Sequence, residues 1–191
     1  MRRFAGILLL STSCRSAYKT SLQDAKQAPD HDRFQEWIDE EKLEKQYAQL
    51  VELLEKENLH DVVPTWQLLR QGTDWDHVDH APFAMPPEEQ WEGMIPTLSF
   101  MERVLIPRIG PVEVVSGYRT EAFNRAAGGS SGSRHMTFEA IDLVPLERQT
   151  RDHLHRDLRS IYESHGDEHA LGLGLYQNTR FHVDTWKNRH W

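Results

Sequence analysis

The spacing of apolar residues predicts helices in the first half of the chain. Residues 32–58 are rich in Glu, Lys, Gln and Leu, and their apolar positions recur at roughly helical spacing, which predicts one helix or a broken pair of helices. A second amphipathic helix is predicted to start near Pro86-Pro87. Between them, residues 72–88 carry Gly72 and several prolines, which predicts an irregular loop. The apolar positions of the second helix are Trp91, Met94, Ile95, Leu98, Met101 and Leu105.

The pattern changes near residue 110, where short strands become the better interpretation. A β-branched run over residues 111–115 has the length and composition of a strand, and residues 139–144 predict a second strand. Residues 171–176 and 181–185 are predicted to pair as a closing hairpin.

Two helices are predicted among these strands. Thr120 can cap a short helix over residues 121–127, which Gly128-Gly129 would end. Residues 147–165 predict a longer helix, with His153 and His155 on its solvated side. The fold class is therefore α+β: a small antiparallel sheet with packed helices, preceded by N-terminal helices. The residues of the longer helix that face the core are Leu154, Leu158, Ile161 and Tyr162.

Composition and charge narrow the class of protein. The 191 residues are 38% apolar and 27% charged, which is typical of a globular protein. The net charge of -8 argues against a nucleic-acid partner or an anionic membrane held by bulk electrostatics. The chain has one cysteine, which excludes an intramolecular disulfide and a cysteine-rich zinc site.

That cysteine, Cys14, follows a segment with the pattern of a short secretory signal. Two arginines precede the apolar run 4–10, and small residues follow it. Small residues before a cysteine resemble a bacterial lipoprotein signal, which predicts a signal peptide over residues 1–13, lipidation of Cys14, a membrane anchor and a tether over 14–30. An ordinary cleaved signal, or a buried first strand with a spare cysteine, remains the alternative.

Three side chains in the second half are candidate metal ligands. His135 and Asp142 lie seven residues apart, and a turn followed by a strand could bring them to one point. Strand alternation places His182 and Asp184 on one face. Two imidazoles and a carboxylate are a common ligand set for catalytic zinc, although a histidine in a strand is more often structural. A denser group of acids and histidines over residues 74–80 is interpreted as a polar loop.

Two motifs resemble those of one enzyme family. The segment SGYRTEAFNRAAGGSSGSRHMTFEAIDLVP (116–145) is similar to the zinc D-alanyl-D-alanine carboxypeptidases and murein endopeptidases, the M15 metallopeptidases. The ending LGLGLYQNTRFHVDTWKNRHW (171–191) resembles a branch that includes periplasmic murein endopeptidases. The family shares its fold with D-alanyl-D-alanine dipeptidases and the hedgehog N-terminal domain. The resemblance covers residues 110–191 and implies that they form the peptidase core, after a helical part over 31–109.

The resemblance implies a role for each matching residue. His135, Asp142 and His182 would bind Zn²⁺. Arg119, in the S-G-Y-R segment, would hold a substrate carboxylate or stabilise the oxyanion. Tyr118 of the same segment and Ser133 would bind substrate, and Ser133 would also support the loop before His135.

The proton-transferring residue is less clear from the sequence. Asp184 would either take the proton from water or orient a ligand, and Glu139 is a poor candidate because it is predicted to face another way. Phe138 stands where the family motif has glycine, a residue that permits an unusual backbone angle.

The function implied is zinc-dependent hydrolysis of peptide bonds in bacterial cell-wall peptidoglycan, as a D-Ala-D-Ala carboxypeptidase or a cross-link endopeptidase. The partners would be peptidoglycan stem peptides, and the location would be the periplasmic face of a membrane, as an outer-membrane lipoprotein. The alternatives are a catalytically inactive zinc-containing module that binds peptidoglycan on the same fold, and a phage-derived or competition-related lysin.

Overall fold

The computed structural model describes residues 28–191. The predicted signal peptide (1–13), the lipidation site Cys14 and nearly all of the tether lie outside the described residues, so they stay predictions. Within the described residues, each helix is too short or too polar to cross a bilayer.

The first helical region is a broken pair of helices, one of the two forms that the periodicity predicts. Helix α1 spans His31–Glu41 and helix α2 spans Glu44–Lys56. Asp30 caps α1 by accepting a hydrogen bond from the backbone N–H of Arg33. The chain breaks at Lys42, which adopts the left-handed conformation (φ 58°) that commonly ends helices. The buried side chains of the pair are Phe34, Trp37, Ile38, Leu50 and Leu54.

The second predicted amphipathic helix is present, but its winding changes along its length. Its predicted apolar face is buried except for Ile95, which is partly exposed. Pro107 lacks the N–H that would bond the carbonyl of Arg103, and the helix widens into a π-type turn just before it. The parts are a 3₁₀ turn over Glu88–Met94, α3 over Ile95–Phe100, the π-type turn over Met101–Leu105 and α4 over Ile106–Ile109.

The second half forms a five-stranded sheet in the order β1-β2-β4-β3-β5. The first four strands pair antiparallel, and β3 and β4 form the predicted closing hairpin. The two-residue strand β5 pairs parallel to β3, which the sequence analysis did not predict, so the sheet is mixed. The strands are β1 (Val112–Ser116), β2 (Ala140–Pro145), β3 (Gly172–Leu175), β4 (Phe181–Asp184) and β5 (Arg189–His190).

Two more helices pack with the sheet. Helix α5 spans Glu121–Ala126, and Thr120 caps it as predicted. Helix α6 spans Arg151–His165 and starts later than predicted, because Thr150 accepts a hydrogen bond from the backbone N–H of His153 and sets the first turn. His153 is exposed as expected, whereas His155 is only partly exposed and its Nε2 atom is buried.

One hydrophobic core joins the two halves of the chain. The cluster of buried side chains includes Phe34 and Leu50 from the first two helices, and Ile141 and Val183 from the sheet. The core is therefore continuous across residue 110, where the sequence analysis placed the start of the peptidase-like part.

Phe138 combines an unusual backbone conformation with full burial. Its φ is 54°, in the left-handed region where glycine is favoured, and its side chain has no exposed surface. The ring packs edge-on against Tyr118, with ring centroids 6.2 Å apart. The backbone angle that a motif glycine would permit is thus present, and the aromatic ring contributes to the core.

We expect Phe138→Gly to destabilise the protein. Removing a buried phenylalanine side chain costs about 3–5 kcal/mol of stability. Glycine adopts the left-handed conformation without strain, which recovers about 1–2 kcal/mol. The free energy of unfolding should therefore fall by about 1–4 kcal/mol, measured by urea titration. Phe138→Leu keeps most of the apolar volume and should lose less. A Phe138→Gly protein as stable as the wild type would show that the backbone angle, and not the ring, dominates.

Candidate metal centre

The sheet and one short turn bring three predicted ligands together. Asp142 on β2 and His182 on β4 are direct cross-strand partners, so their side chains emerge side by side on one face. His135 reaches the same point from a 3₁₀ turn over Arg134–Thr137, which precedes β2. All three side chains are buried.

The three possible ligand atoms converge on one point. His135 Nε2 lies 3.2 Å from His182 Nδ1 and 3.3 Å from Asp142 Oδ1, and His182 Nδ1 lies 2.9 Å from Asp142 Oδ1. A tetrahedral transition-metal ion with bonds of about 2.0–2.1 Å places its ligand atoms about 3.3 Å apart. These spacings are close to those that such an ion requires, and the three residues form a group that could hold a metal ion.

The other nitrogen of each imidazole is already engaged. His135 Nδ1 lies 2.7 Å from the carbonyl oxygen of Gly117, and His182 Nε2 lies 3.0 Å from Asp184 Oδ2. Each ring can donate its proton outward to these acceptors and turn the lone pair of its second nitrogen toward the centre. Two such lone pairs and a carboxylate oxygen repel one another unless a proton or a cation lies between them.

The electrostatics of the three ligands also suit a cation. Burial, and then the positive charge of Arg119, lower the pKa of His135 to about 4, so this ring is neutral at neutral pH. Burial would lower the pKa of His182, but its hydrogen bonds with Asp142 and Asp184 outweigh burial and raise that pKa. The carboxylates of Asp142 and Asp184 thus stabilise a positive charge on His182. A metal ion at the centre would supply that positive charge in place of the proton.

The second oxygen of Asp142 is held by two arginines. Arg119 Nη2 lies 2.7 Å and Arg180 Nη2 lies 2.6 Å from Asp142 Oδ2. Burial would raise the pKa of Asp142, but the guanidinium of Arg180 and the hydrogen bond with His182 outweigh burial and hold that pKa well below its usual range. Asp142 therefore stays ionised, with Oδ1 directed at the centre.

Arg119 is itself anchored by Gln71, which follows the 3₁₀ turn over Thr65–Leu69, and by β1. Its Nε atom donates to the carbonyl oxygen of Gln71 at 3.0 Å and to Ser116 Oγ at 2.8 Å. The Gln71 side chain accepts hydrogen bonds from the backbone and hydroxyl of Thr120. The guanidinium is thus fixed beside the centre.

Asp184 lies behind His182, on the side away from the centre. Its side chain has no exposed surface, and both of its oxygens accept hydrogen bonds. Oδ2 contacts His182 Nε2 and Arg189 Nη2 (2.7 Å), and Oδ1 contacts the backbone N–H of Trp186. Burial would raise the pKa of Asp184, but the hydrogen bond with His182 outweighs it and lowers that pKa. This arrangement suits orientation of His182.

The centre opens into a cleft of about 540 Å³. Arg119, Ser133 and Tyr176 line the cleft together with two of the candidate ligands, His135 and His182. The hydroxyl of Tyr176 lies 3.4 Å from Asp142 Oδ1, and burial followed by the charge of Asp142 raises the pKa of Tyr176 to about 12. The phenol is therefore protonated at neutral pH and can donate a hydrogen bond in the cleft.

The remaining sequence candidates lie elsewhere. Tyr118 packs on Phe138 and lines a neighbouring cavity with Met136, outside the cleft lining. Glu139 pairs with Arg134 Nη1 at 3.0 Å and accepts a hydrogen bond from Thr137. The acids and histidines over residues 74–80 lie in a run of turns, as the predicted polar loop requires.

Three further residues at the centre, Tyr176, Arg180 and Arg189, were not predicted from the sequence. Arg180 directly precedes the strand that carries His182, and Arg189 belongs to the C-terminal segment that resembles the family's ending, so both lie within quoted motifs. Their partners are Asp142 and Asp184, which lie on the sheet. Only the strand register shows that these arginines meet those carboxylates.

We expect Asp184→Asn to weaken metal binding at this centre. The amide cannot provide the charged acceptor for His182 Nε2, and loss of such an outer partner typically costs 10–100-fold in metal affinity. Competition with a chromophoric chelator measures this change. Asp157→Asn removes a carboxylate that pairs with exposed His153, and it should leave the affinity unchanged. Equal affinities for both variants would contradict the orienting role of Asp184.

Comparison with known proteins agrees with the geometry of the centre. The model of a family described as Peptidase M15 matches residues 64–184, which is more than half of the 191 residues. The match includes the three candidate ligands and Asp184, and it begins well before residue 110. Searches of curated proteins and of solved structures found no match.

Proposed function

The chain belongs to the M15 peptidase family, and from this premise we propose that it is a zinc-dependent peptidase that hydrolyses peptide bonds in bacterial peptidoglycan. The observation that carries the proposal is the convergence of two imidazoles and one carboxylate at an open cleft. Catalytic zinc sites typically have three protein ligands and one position open to solvent or substrate, whereas structural sites are closed by four.

In this proposal, His135, Asp142 and His182 hold the zinc ion. When bound, zinc supplies Lewis acidity, which polarises a carbonyl group and lowers the pKa of water toward neutrality. By accepting a proton from each ring, Gly117 and Asp184 would keep the two imidazoles in the tautomers that leave a lone pair for the ion. We assign this orienting role to Asp184 because its carboxylate is buried and both oxygens are engaged.

In this proposal, two side chains act on the substrate. The contacts of Arg119 described above engage Nε and Nη2, and we assign Nη1 to a substrate carboxylate or to the developing oxyanion. Tyr176 remains protonated at neutral pH, and in this proposal its hydroxyl turns from Asp142 Oδ1, to which it donates at 3.4 Å, to give the substrate a second hydrogen bond. Arg119 is fixed before the substrate arrives, and such a donor stabilises negative charge without the cost of reorganisation.

A zinc-containing module that binds peptidoglycan without cutting it is the second candidate. The observation that favours it concerns the acids: none of the described residues that line the cleft is Asp or Glu. A peptidase requires a group that accepts the proton of the attacking water, and a buried Asp184 that is held by Arg189 is poorly placed for this. A binding module needs no such group.

Digestion of purified muropeptides separates the two candidates. We expect cleavage by the full chain, loss of cleavage with a chelator and recovery when zinc is added back. Release of single D-alanine from monomers would indicate a carboxypeptidase, and conversion of cross-linked dimers into monomers would indicate an endopeptidase. Zinc-dependent retention of muropeptides without any cleavage would establish the binding module. Cleavage that continues at the same rate in the presence of the chelator would refute the zinc peptidase proposal.

A further inference from the structure

A second cluster of metal-binding side chain types lies at the end of helix α6. His165 is the last residue of the helix, and Glu168 and His169 follow in the turn that leads toward β3. Each offers one ligand atom, and the three atoms lie within 4.8 Å of one another. None of the three lines the cleft described above.

The backbone places the two imidazoles on one face. The N–H of His169 donates to the carbonyl of His165 at 3.1 Å, so helical geometry continues for one turn beyond α6. Residues four apart on a helix have neighbouring side chains. The His169 ring also packs against the buried ring of Phe100, with centroids 5.1 Å apart, which restricts its orientation.

The cluster is not explained by hydrogen bonding between its members. His165 Nδ1 and Glu168 Oε2 are 3.9 Å apart, which is beyond hydrogen-bond distance. Two ligands of one ion, with bonds of about 2.0–2.2 Å, lie about 3.3 Å apart in a tetrahedron and about 4 Å apart when opposite each other. Small rotations of the His165 and Glu168 side chains therefore bring these two groups into a common coordination sphere with His169.

We propose that His165, Glu168 and His169 form a second binding site for a divalent transition-metal ion such as zinc. Two imidazoles and a carboxylate suit zinc and copper better than magnesium or calcium, which prefer oxygen ligands. The side chain of His165 is 40% exposed and that of Glu168 is 73% exposed, so the ion enters from solvent and water completes its coordination.

The site is weaker than the buried centre for two reasons. Its ligands are exposed and less restricted, so binding costs more conformational entropy. His165 also lines a cavity with Arg103 and Arg108, whose positive charges oppose a cation. Because the ligands span the end of α6 and the following turn, a bound ion links these segments and raises the midpoint of thermal unfolding.

Zinc titration of the full chain, monitored by calorimetry after removal of metal, tests this site. We expect two equivalents in the wild type, one tight and one weaker. His169→Ala and Glu168→Gln should each lose the weaker event, and Glu168→Gln changes an exposed side chain that the fold does not need. His153→Ala, which removes an exposed histidine of the same helix, should keep both events. His182→Ala should lose the tight event alone.

A single equivalent in the wild type would overturn the second site. So would a weaker event that persists in both His169→Ala and Glu168→Gln, because it would then arise elsewhere. The readout is stoichiometry and does not require hydrolysis, so this result is independent of whether the chain cleaves peptidoglycan.

Discussion

His182→Ala should reduce muropeptide cleavage by about 10³-fold or more, since a catalytic metal ion contributes several kcal/mol of transition-state stabilisation. The substitution removes one of three ligand atoms and leaves His135 Nε2 and Asp142 Oδ1, which cannot hold the ion in the same geometry. It also leaves Asp184 without the imidazole that it orients. The loss should appear in kcat and in the tight zinc-binding event together.

A matched control for this prediction is His153→Ala. His153 is exposed on α6, where it contacts Arg156 and Asp157, and it lies outside both metal clusters. That variant should cleave at the wild-type rate. If His182→Ala retained wild-type cleavage while folding normally, the proposed centre would not be the site of the reaction.

Asp142→Asn should destabilise the metal-free protein by about 3–5 kcal/mol, the cost typical of removing one partner from a buried ion pair. The carboxylate has no exposed surface and lies between the guanidinium groups of Arg119 and Arg180, at 2.7 and 2.6 Å. A neutral amide would leave these two positive charges facing each other across a buried position. Denaturant unfolding in the presence of a chelator isolates this effect from metal binding.

The control for Asp142→Asn is Asp157→Asn, which removes a carboxylate from a more exposed pair with His153. Exposed pairs contribute about 0–1 kcal/mol, so this variant should unfold almost as the wild type does. If Asp142→Asn were equally harmless, the arginines would not depend on Asp142 for charge compensation, and their fixed position beside the centre would need another explanation.

The sequence predicted the elements whose pattern is local. Helical periodicity indicated the pair α1 and α2, and capping residues such as Thr120 indicated where a helix begins. Alternation along β4 placed His182 and Asp184 on one face, and the structure shows them in contact. These signals are readable because hydrophobic period, capping and alternation depend on neighbours within a few residues.

Other features depended on how distant segments pack. The parallel pairing of β5 with β3 positions Arg189 on Asp184, and no pattern in a two-residue strand predicts it. The widening of the helix before Pro107 follows from the loss of one backbone donor in a helix that is buried on one face only. In the sequence, Phe138 is only a departure from a motif. Its left-handed backbone angle and its full burial depend on the tertiary structure.

The sequence by itself determined the α+β class, most of the helices, four of the five strands, and the three side chains that could bind a metal ion. The tertiary structure decided what each of those side chains contacts. The register of β2 against β4 brings Asp142 beside His182, and Arg180, which lies 38 residues from Asp142 in the chain, holds the second oxygen of that carboxylate. Such contacts arise from packing between segments that are far apart in sequence, and no local periodicity encodes them.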